Sequence, residues 1–345
     1  MKHASPAVTV AACLLLGCGA SPQGNVLDVG PPSGSTSAAG SGSASARSAT
    51  GGPAAAIVWK EDAAARLGIT SLLVDDTGAV IAERAEPIVV IDGALLALRE
   101  VPAQVGMCDC TVCPGPGPCA KANGTVPATL LNPTLVPLKG GGEDLPLAKM
   151  PIGPTCADAI VEYSRGFRPT SLIGPYLFGL VDDILVECAG TRPVYDTTPV
   201  ALDLRTQKTL DTHPPPGRLG ALTAAARAQL DNDGCTLDPK ETPELFRGVA
   251  KLGPEGDVMA QYDFTKSAAY VCGMGPGHYT SDVGIDERGA PAFTAGAVVP
   301  KWLVPAIQSA HAIGFGASVT GTAAVDAAKH ELWQAPLPPP PAAPE

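Results

Sequence analysis

Three segments that are not expected to join a folded core restrict folding to the middle of this chain. An apolar run over residues 7–16 follows Lys2 and ends in Leu15-Leu16-Gly17-Cys18, and it is too short to cross a bilayer as a helix. Residues 18–56 consist mainly of Ser, Gly, Ala and Pro, and residues 335–345 are rich in proline. Segments of this composition cannot bury enough apolar surface to fold. We therefore expect the folded part between residues 57 and 334.

The first segment, residues 1–17, is typical of a cleaved signal peptide. The small residue Gly17 precedes Cys18, and this arrangement resembles that of bacterial lipoproteins. The resemblance implies cleavage after residue 17 and lipid attachment at Cys18, where several acyl chains, such as palmitate, hold a protein at a membrane. Gly19, rather than Asp, favours the outer membrane of a Gram-negative cell envelope. The alternative is an ordinary secretory signal that leaves Cys18 as a thiol.

The cysteines that follow suggest a disulfide framework. An even number of cysteines in an exported chain favours disulfide bonds, although their pairing cannot be deduced from spacing. The candidates are Cys108, Cys110, Cys113, Cys119, Cys156, Cys188, Cys235 and Cys272. The dense group from Cys108 to Cys119 also has spacings that suit zinc, an iron–sulfur cluster or a redox pair. We expect local disulfides there, because an oxidising compartment and a loop rich in Pro and Gly favour them.

Charge and motifs exclude several classes of function. The chain has 23 basic and 34 acidic side chains, so it lacks the positive charge that nucleic-acid binding requires. No zinc-protease, serine-hydrolase or phosphate-loop motif is present. The histidines after the signal segment are isolated from one another in sequence: His213, His278, His311 and His330. Only His278 lies in a conspicuous glycine-rich turn, where a hydrolase could use it as a base.

Two acidic stretches do not have the spacing of a metal site. The stretch Asp231-Asn232-Asp233-Gly234 lacks the EF-hand pattern, because Gln229 and Lys240 occupy ligand positions. Asp182 and Asp183 are adjacent, and adjacent strand residues point to opposite faces, so we interpret them as a solvated turn. We therefore predict no catalytic residue, no metal ligand and no cofactor.

Local patterns predict an α+β fold, mainly antiparallel sheet with a few packed helices and stapled by disulfides. Turn signals at residues 75–78 and 92–93 separate short apolar runs and predict hairpins. Helical spacing of Leu219, Leu222, Ala226 and Leu230 predicts a helix over residues 219–230. Further expectations are edge strands or loop at 125–138, strands at 258–264 and 268–272, a short strand and helix at 298–308, and a helix at 323–333. We expect a β-rich subdomain over residues 57–165, with the Cys-rich loop, and an α+β domain over 166–334.

Residues 171–308 resemble an exported domain found at the end of lysozyme-sensing anti-sigma factors and with some peptidoglycan deacetylases. The resemblance is one of order: a strand at 176–181, a hairpin at 202–210, a helix at 219–230, the stretch 256–264 and a glycine-rich segment at 273–277. Gln207 stands where the family's turn has glycine, so the turn is expected to differ, and 188–192 lacks the family's histidine. The resemblance implies a fold, but a shared fold does not carry lysozyme binding with it.

Together these features favour a membrane-anchored envelope lipoprotein that binds or senses a partner, either an envelope protein or a cell-wall ligand, rather than an enzyme. Two alternatives remain open. One is an envelope hydrolase that uses His278, and the other is a metal or redox protein that uses the group from Cys108 to Cys119.

Overall fold

A computed structural model of the chain describes its folded part in eight segments. They are residues 53–108, 125–139, 142–147, 160–187, 194–232, 244–268, 279–289 and 291–334. All of them belong to one unit, Thr50–Glu345.

The described residues form fifteen strands and three α-helices. The strands are β1 (Ala54–Glu61), β2 (Ile69–Asp75), β3 (Val80–Arg84), β4 (Ile88–Ile91), β5 (Ala94–Cys108), β6 (Thr125–Pro137), β7 (Leu145–Pro146), β8 (Ile160–Gly174), β9 (Tyr176–Glu187), β10 (Val194–Asp203), β11 (Lys208–Thr209), β12 (Glu244–Leu252), β13 (Val258–Ala268), β14 (Tyr279–Arg288) and β15 (Ala312–Thr320). The helices are α1 (Leu219–Asn232), α2 (Val304–Ala310) and α3 (Thr322–Gln334).

The strands form three sheets, and the expected α+β class with mainly antiparallel sheet is confirmed. The largest sheet has eight strands in the order β11-β10-β9-β8-β15-β1-β2-β3. Its β8–β15 pair is parallel, and its other neighbouring strands are antiparallel. A four-stranded sheet (β4-β5-β6-β7) and a three-stranded sheet (β12-β13-β14) complete the set. Strands from both expected subdomains share the largest sheet, and the expected boundary at 165/166 falls inside β8.

Strand β1 is the centre of this arrangement because both of its faces are buried. Ile57 and Trp59 point into one apolar core, which they share with β4, β5 and α3. Ala56 and Val58 point into a second core, which they share with β12, β13 and α2. The Trp59 indole N–H donates to the Ile88 carbonyl at 2.7 Å. The eight-stranded sheet is therefore the middle of three layers. A strand that is buried on both faces has a continuous run of apolar residues in its sequence.

Both predicted turn signals are confirmed. At residues 75–78 the Asp75 carboxylate accepts hydrogen bonds from the backbone N–H groups of Thr77, at 2.9 Å, and Ala79, at 3.0 Å. Asp92 and Gly93 both have positive φ, 49° and 81°. They form the two-residue turn that joins β4 to β5, as expected for a hairpin whose turn matches the strand twist.

The expected helix at 219–230 is also present, as α1. It buries Leu222, Ala226 and Leu230, but Leu219 is 47% exposed. Leu219 begins the helix, ahead of the turn that first packs against the rest of the domain. The final helix expected at 323–333 corresponds to α3.

The turn expected at Asp182 and Asp183 is wrong. Both residues lie inside β9, which pairs with β8 on one side and with β10 on the other. Their charges are accommodated by cross-strand partners, since Arg165 and Arg168 of β8 form ion pairs with Asp183 and Asp182. Paired carboxylates of this kind do not need to leave the sheet.

Two other local expectations need correction. The short strand expected at 298 is absent: Val298 is exposed, and Pro300 starts a turn in which the Leu303 N–H donates to the Pro300 carbonyl at 2.9 Å. The strand expected to end at residue 264 continues to Ala268, because β14 pairs with β13 along that length. Residues 269–272 lie outside the described part.

The segment expected to be edge strands or loop, residues 125–138, contains strand β6. One side of β6 pairs with β5 throughout, whereas its other side pairs only with the two residues of β7.

None of the described helices is both long enough and apolar enough to span a membrane.

Candidate functional site

Most of the residues singled out in the sequence lie outside the described part of the chain. Cys18, His278 and seven of the eight disulfide candidates do so, and Cys108 is the last residue of β5. Their pairing, like the attachment of lipid, stays a prediction. The other histidines are exposed: His213 contacts Asp211, at 2.7 Å between Nδ1 and Oδ1, His311 ends α2, and His330 lies on α3. Within the eight described segments, no three His, Cys, Asp or Glu side chains are grouped so that they could hold a metal.

A cleft of about 580 Å³ lies between the eight-stranded and three-stranded sheets, and it is large enough for a ligand. Its polar lining consists of Glu61, Asp62, Arg168, Thr170, Lys251, Gln261 and Asp263. Its aliphatic lining includes Leu67, Ile69, Leu180, Val249 and Ile313. Ligand pockets in proteins typically have volumes of roughly 300–1,000 Å³ and combine apolar walls with a few placed polar groups.

The cleft opens where β8 and β15 stop pairing. These parallel strands are aligned only from Leu172 to Gly174 and from Gly314 to Gly316. At Gly314 the approach is so close that a Cβ atom would lie 2.6 Å from the Leu172 backbone nitrogen. Below this contact the strands separate. A buried hydrogen bond from the Ser171 hydroxyl to the Ala250 carbonyl ties β8 to β12 beside the opening.

Two β-bulges lie at the cleft. In β8, Pro169 pairs with Gly179 and Ser171 with Phe178, so Thr170 is an extra, unpaired residue. In β15, Ala312 pairs with Lys60 and Gly314 with Trp59, which leaves Ile313 unpaired. Bulges of this kind re-aim side chains and are frequent beside functional sites.

The loop between β1 and β2 adds a third irregularity. Leu67 has φ 51° and Gly68 has φ 72°, and a bulky residue in this left-handed region is an outlier whose cost the surrounding structure must offset. The loop is held by hydrogen bonds from the Asp62 N–H to the Gly68 carbonyl at 2.8 Å and from the Arg66 N–H to the Ala85 carbonyl at 3.0 Å. This strained but well-bonded loop forms one wall of the cleft.

Two buried polar atoms of cleft-lining residues have no hydrogen-bond partner among the residues that the structure describes, namely Thr170 Oγ1 and Gln261 Oε1. The other end of the Gln261 amide is engaged, since Nε2 donates to Asp263 Oδ1 at 3.0 Å. Buried polar groups are paired in the great majority of cases, so an unpaired one requires an explanation. Both atoms belong to residues that line the cleft, whereas a third unpartnered buried atom of the described residues, Thr212 Oγ1, belongs to a residue outside it.

The charges around the cleft are mixed, with three carboxylates against two cations. Hydrogen bonds from the Thr70 hydroxyl, at 2.8 Å, and the Ala64 N–H, at 3.0 Å, keep the pKa of Asp62 below its usual value. Asp62 is therefore ionised at neutral pH. Arg168 extends toward Asp182, with 3.5 Å between Nη2 and Oδ2, and its side chain is 63% exposed. Lys251 is also exposed.

Sequence reasoning missed every residue of this cleft. The single local signal was Pro169, since a proline inside a strand pattern commonly marks an edge or a bulge. The remaining lining residues come from separate segments that are far apart along the chain, and no spacing in the sequence connects them.

No protein-family model matches this chain, and neither the curated proteins nor the solved structures contain a significant match to it.

Proposed function

We propose that this protein is a lipid-anchored lipoprotein of the cell envelope whose folded domain binds a ligand in the cleft between β8, β12 and β13. The observation that carries the proposal is a cleft of about 580 Å³ with polar and aliphatic lining, where two lining residues, Thr170 and Gln261, each keep a buried polar atom without a partner among the described residues. Leaving such atoms unpaired is unfavourable in the empty state. Bulges and strained loops that persist at that place are typical of a site selected for binding rather than for stability.

The anchoring half of the proposal is supported by sequence. The apolar run 7–16, Gly17 and Cys18 fit a lipoprotein signal, and acylation of Cys18 would place the protein at a membrane, with the outer membrane favoured. The composition of residues 18–52 predicts a flexible tether, whereas Ala54, Ala55 and Ala56, which the sequence also assigned to the linker, belong to β1. A ligand-binding domain on such a tether can reach ligands that lie close to the membrane.

We further propose that the eight cysteines of the mature chain form disulfides, as an oxidising compartment favours. Several of them flank segments that join described strands: Cys108 ends β5, and Cys188 directly follows β9. Bridges there would shorten the free connections between strands and stabilise the domain, mainly by constraining the unfolded chain.

The resemblance of residues 171–308 to the exported domain of lysozyme-sensing anti-sigma factors supports membership of an envelope sensor or binding group. It supports neither a particular ligand nor lysozyme itself, because fold and function are separable.

Site-specific photo-crosslinking in the native envelope tests the binding proposal. A photo-reactive phenylalanine analogue would replace Ala63, which is exposed at the cleft, and in a control would replace Ala324, which is exposed on α3. We expect a crosslinked adduct from position 63 that is missing from position 324. Equal adducts from both positions, or none from position 63, would overturn ligand binding at the cleft.

Intact mass of the membrane-purified protein, with free thiols blocked under denaturing conditions, tests the anchor and the disulfides. We expect an acylated Cys18 and no blocked thiol. An unmodified Cys18 would overturn the anchor. Free thiols in the group from Cys108 to Cys119 would overturn the disulfide framework there and favour a metal or redox role instead.

A further inference from the structure

We draw no further inference here: the strongest candidate, the exposed surface patch around Trp333 on the last turn of α3, where that side chain is 82% exposed, carries no proposal because nothing in the structure shows what covers it.

Discussion

Arg165 and Asp183 face each other across β8 and β9 in a two-pronged ion pair. Nε of Arg165 lies 2.7 Å from Oδ1 of Asp183, and Nη2 lies 2.9 Å from Oδ2. The Arg165 side chain is 2% exposed and that of Asp183 is 13% exposed. The adjacent carboxylate, Asp182, lies on the opposite face, where it is 39% exposed and 3.5 Å from Arg168. Two neighbouring carboxylates therefore have different energetic roles.

Asp183→Asn should lower the free energy of unfolding by about 3 kcal/mol, because it removes the negative charge that faces the buried guanidinium of Arg165. Asp182→Asn is the matched control and should cost less than about 1 kcal/mol, as is typical of exposed pairs. Urea unfolding at neutral pH, followed by circular dichroism, measures both. Equal losses would contradict this assignment of the two carboxylates.

Glu86 is the centre of a second buried network. It is fully buried, and it forms ion pairs with Arg84 and Arg99. Arg84 also donates to the Leu332 carbonyl at 3.2 Å and so links the network to α3. Glu86→Gln should lower the free energy of unfolding by about 3–5 kcal/mol, because two guanidinium groups lose their shared charge. Glu83→Gln, at an exposed position of β3, should have little effect, and comparable losses in the two variants would be inconsistent with this network.

Asp203 should contribute to acid sensitivity. The Arg205 side chain donates to its carboxylate, at 3.1 Å to Oδ1 and 3.0 Å to Oδ2, and keeps its pKa below the usual value. Because the pKa is lower in the folded state, the stabilisation is complete above the unfolded value, about 3.9, and is lost as the pH falls through the folded value. The difference in free energy of unfolding between wild type and Asp203→Asn should be constant above about pH 5 and shrink below about pH 4. Urea titrations from neutral to acidic pH measure it, and a constant difference throughout would refute the assignment.

Gln207 adopts φ 54° in the turn between β10 and β11. This is the left-handed region of the backbone, which favours glycine. Gln207→Gly should raise the free energy of unfolding by about 0.5–1 kcal/mol, because glycine adopts this conformation without the Cβ penalty. Thr206→Gly, one residue earlier and without a positive φ, should lower it instead. Thermal unfolding compares the two, and stabilisation by both or by neither would argue against backbone strain at 207.

The cleft could not be predicted from the sequence, because its lining residues are far apart along the chain. Thr170 is one threonine in a Pro-containing strand, and its neighbours in the cleft include Asp62 and Gln261, which are distant in sequence. The bulge that isolates Thr170 arises because β8 must pair with β9 on one side while meeting β15 and β12 on the other. That constraint is a property of the assembled sheets.

The sequence by itself determined the local structure of this protein. Asp75 and Gly78 form a turn, Asp92 and Gly93 form a hairpin, and the spacing from Leu222 to Leu230 forms a helix, because turn chemistry and helical periodicity act over a few residues. The tertiary structure decided the rest. It paired β1 with β15 from the other end of the domain, and it kept Asp182 and Asp183 inside a strand by opposing them with arginines. It also gathered the cleft, because pairing between distant strands depends on the burial of whole faces rather than on any short pattern.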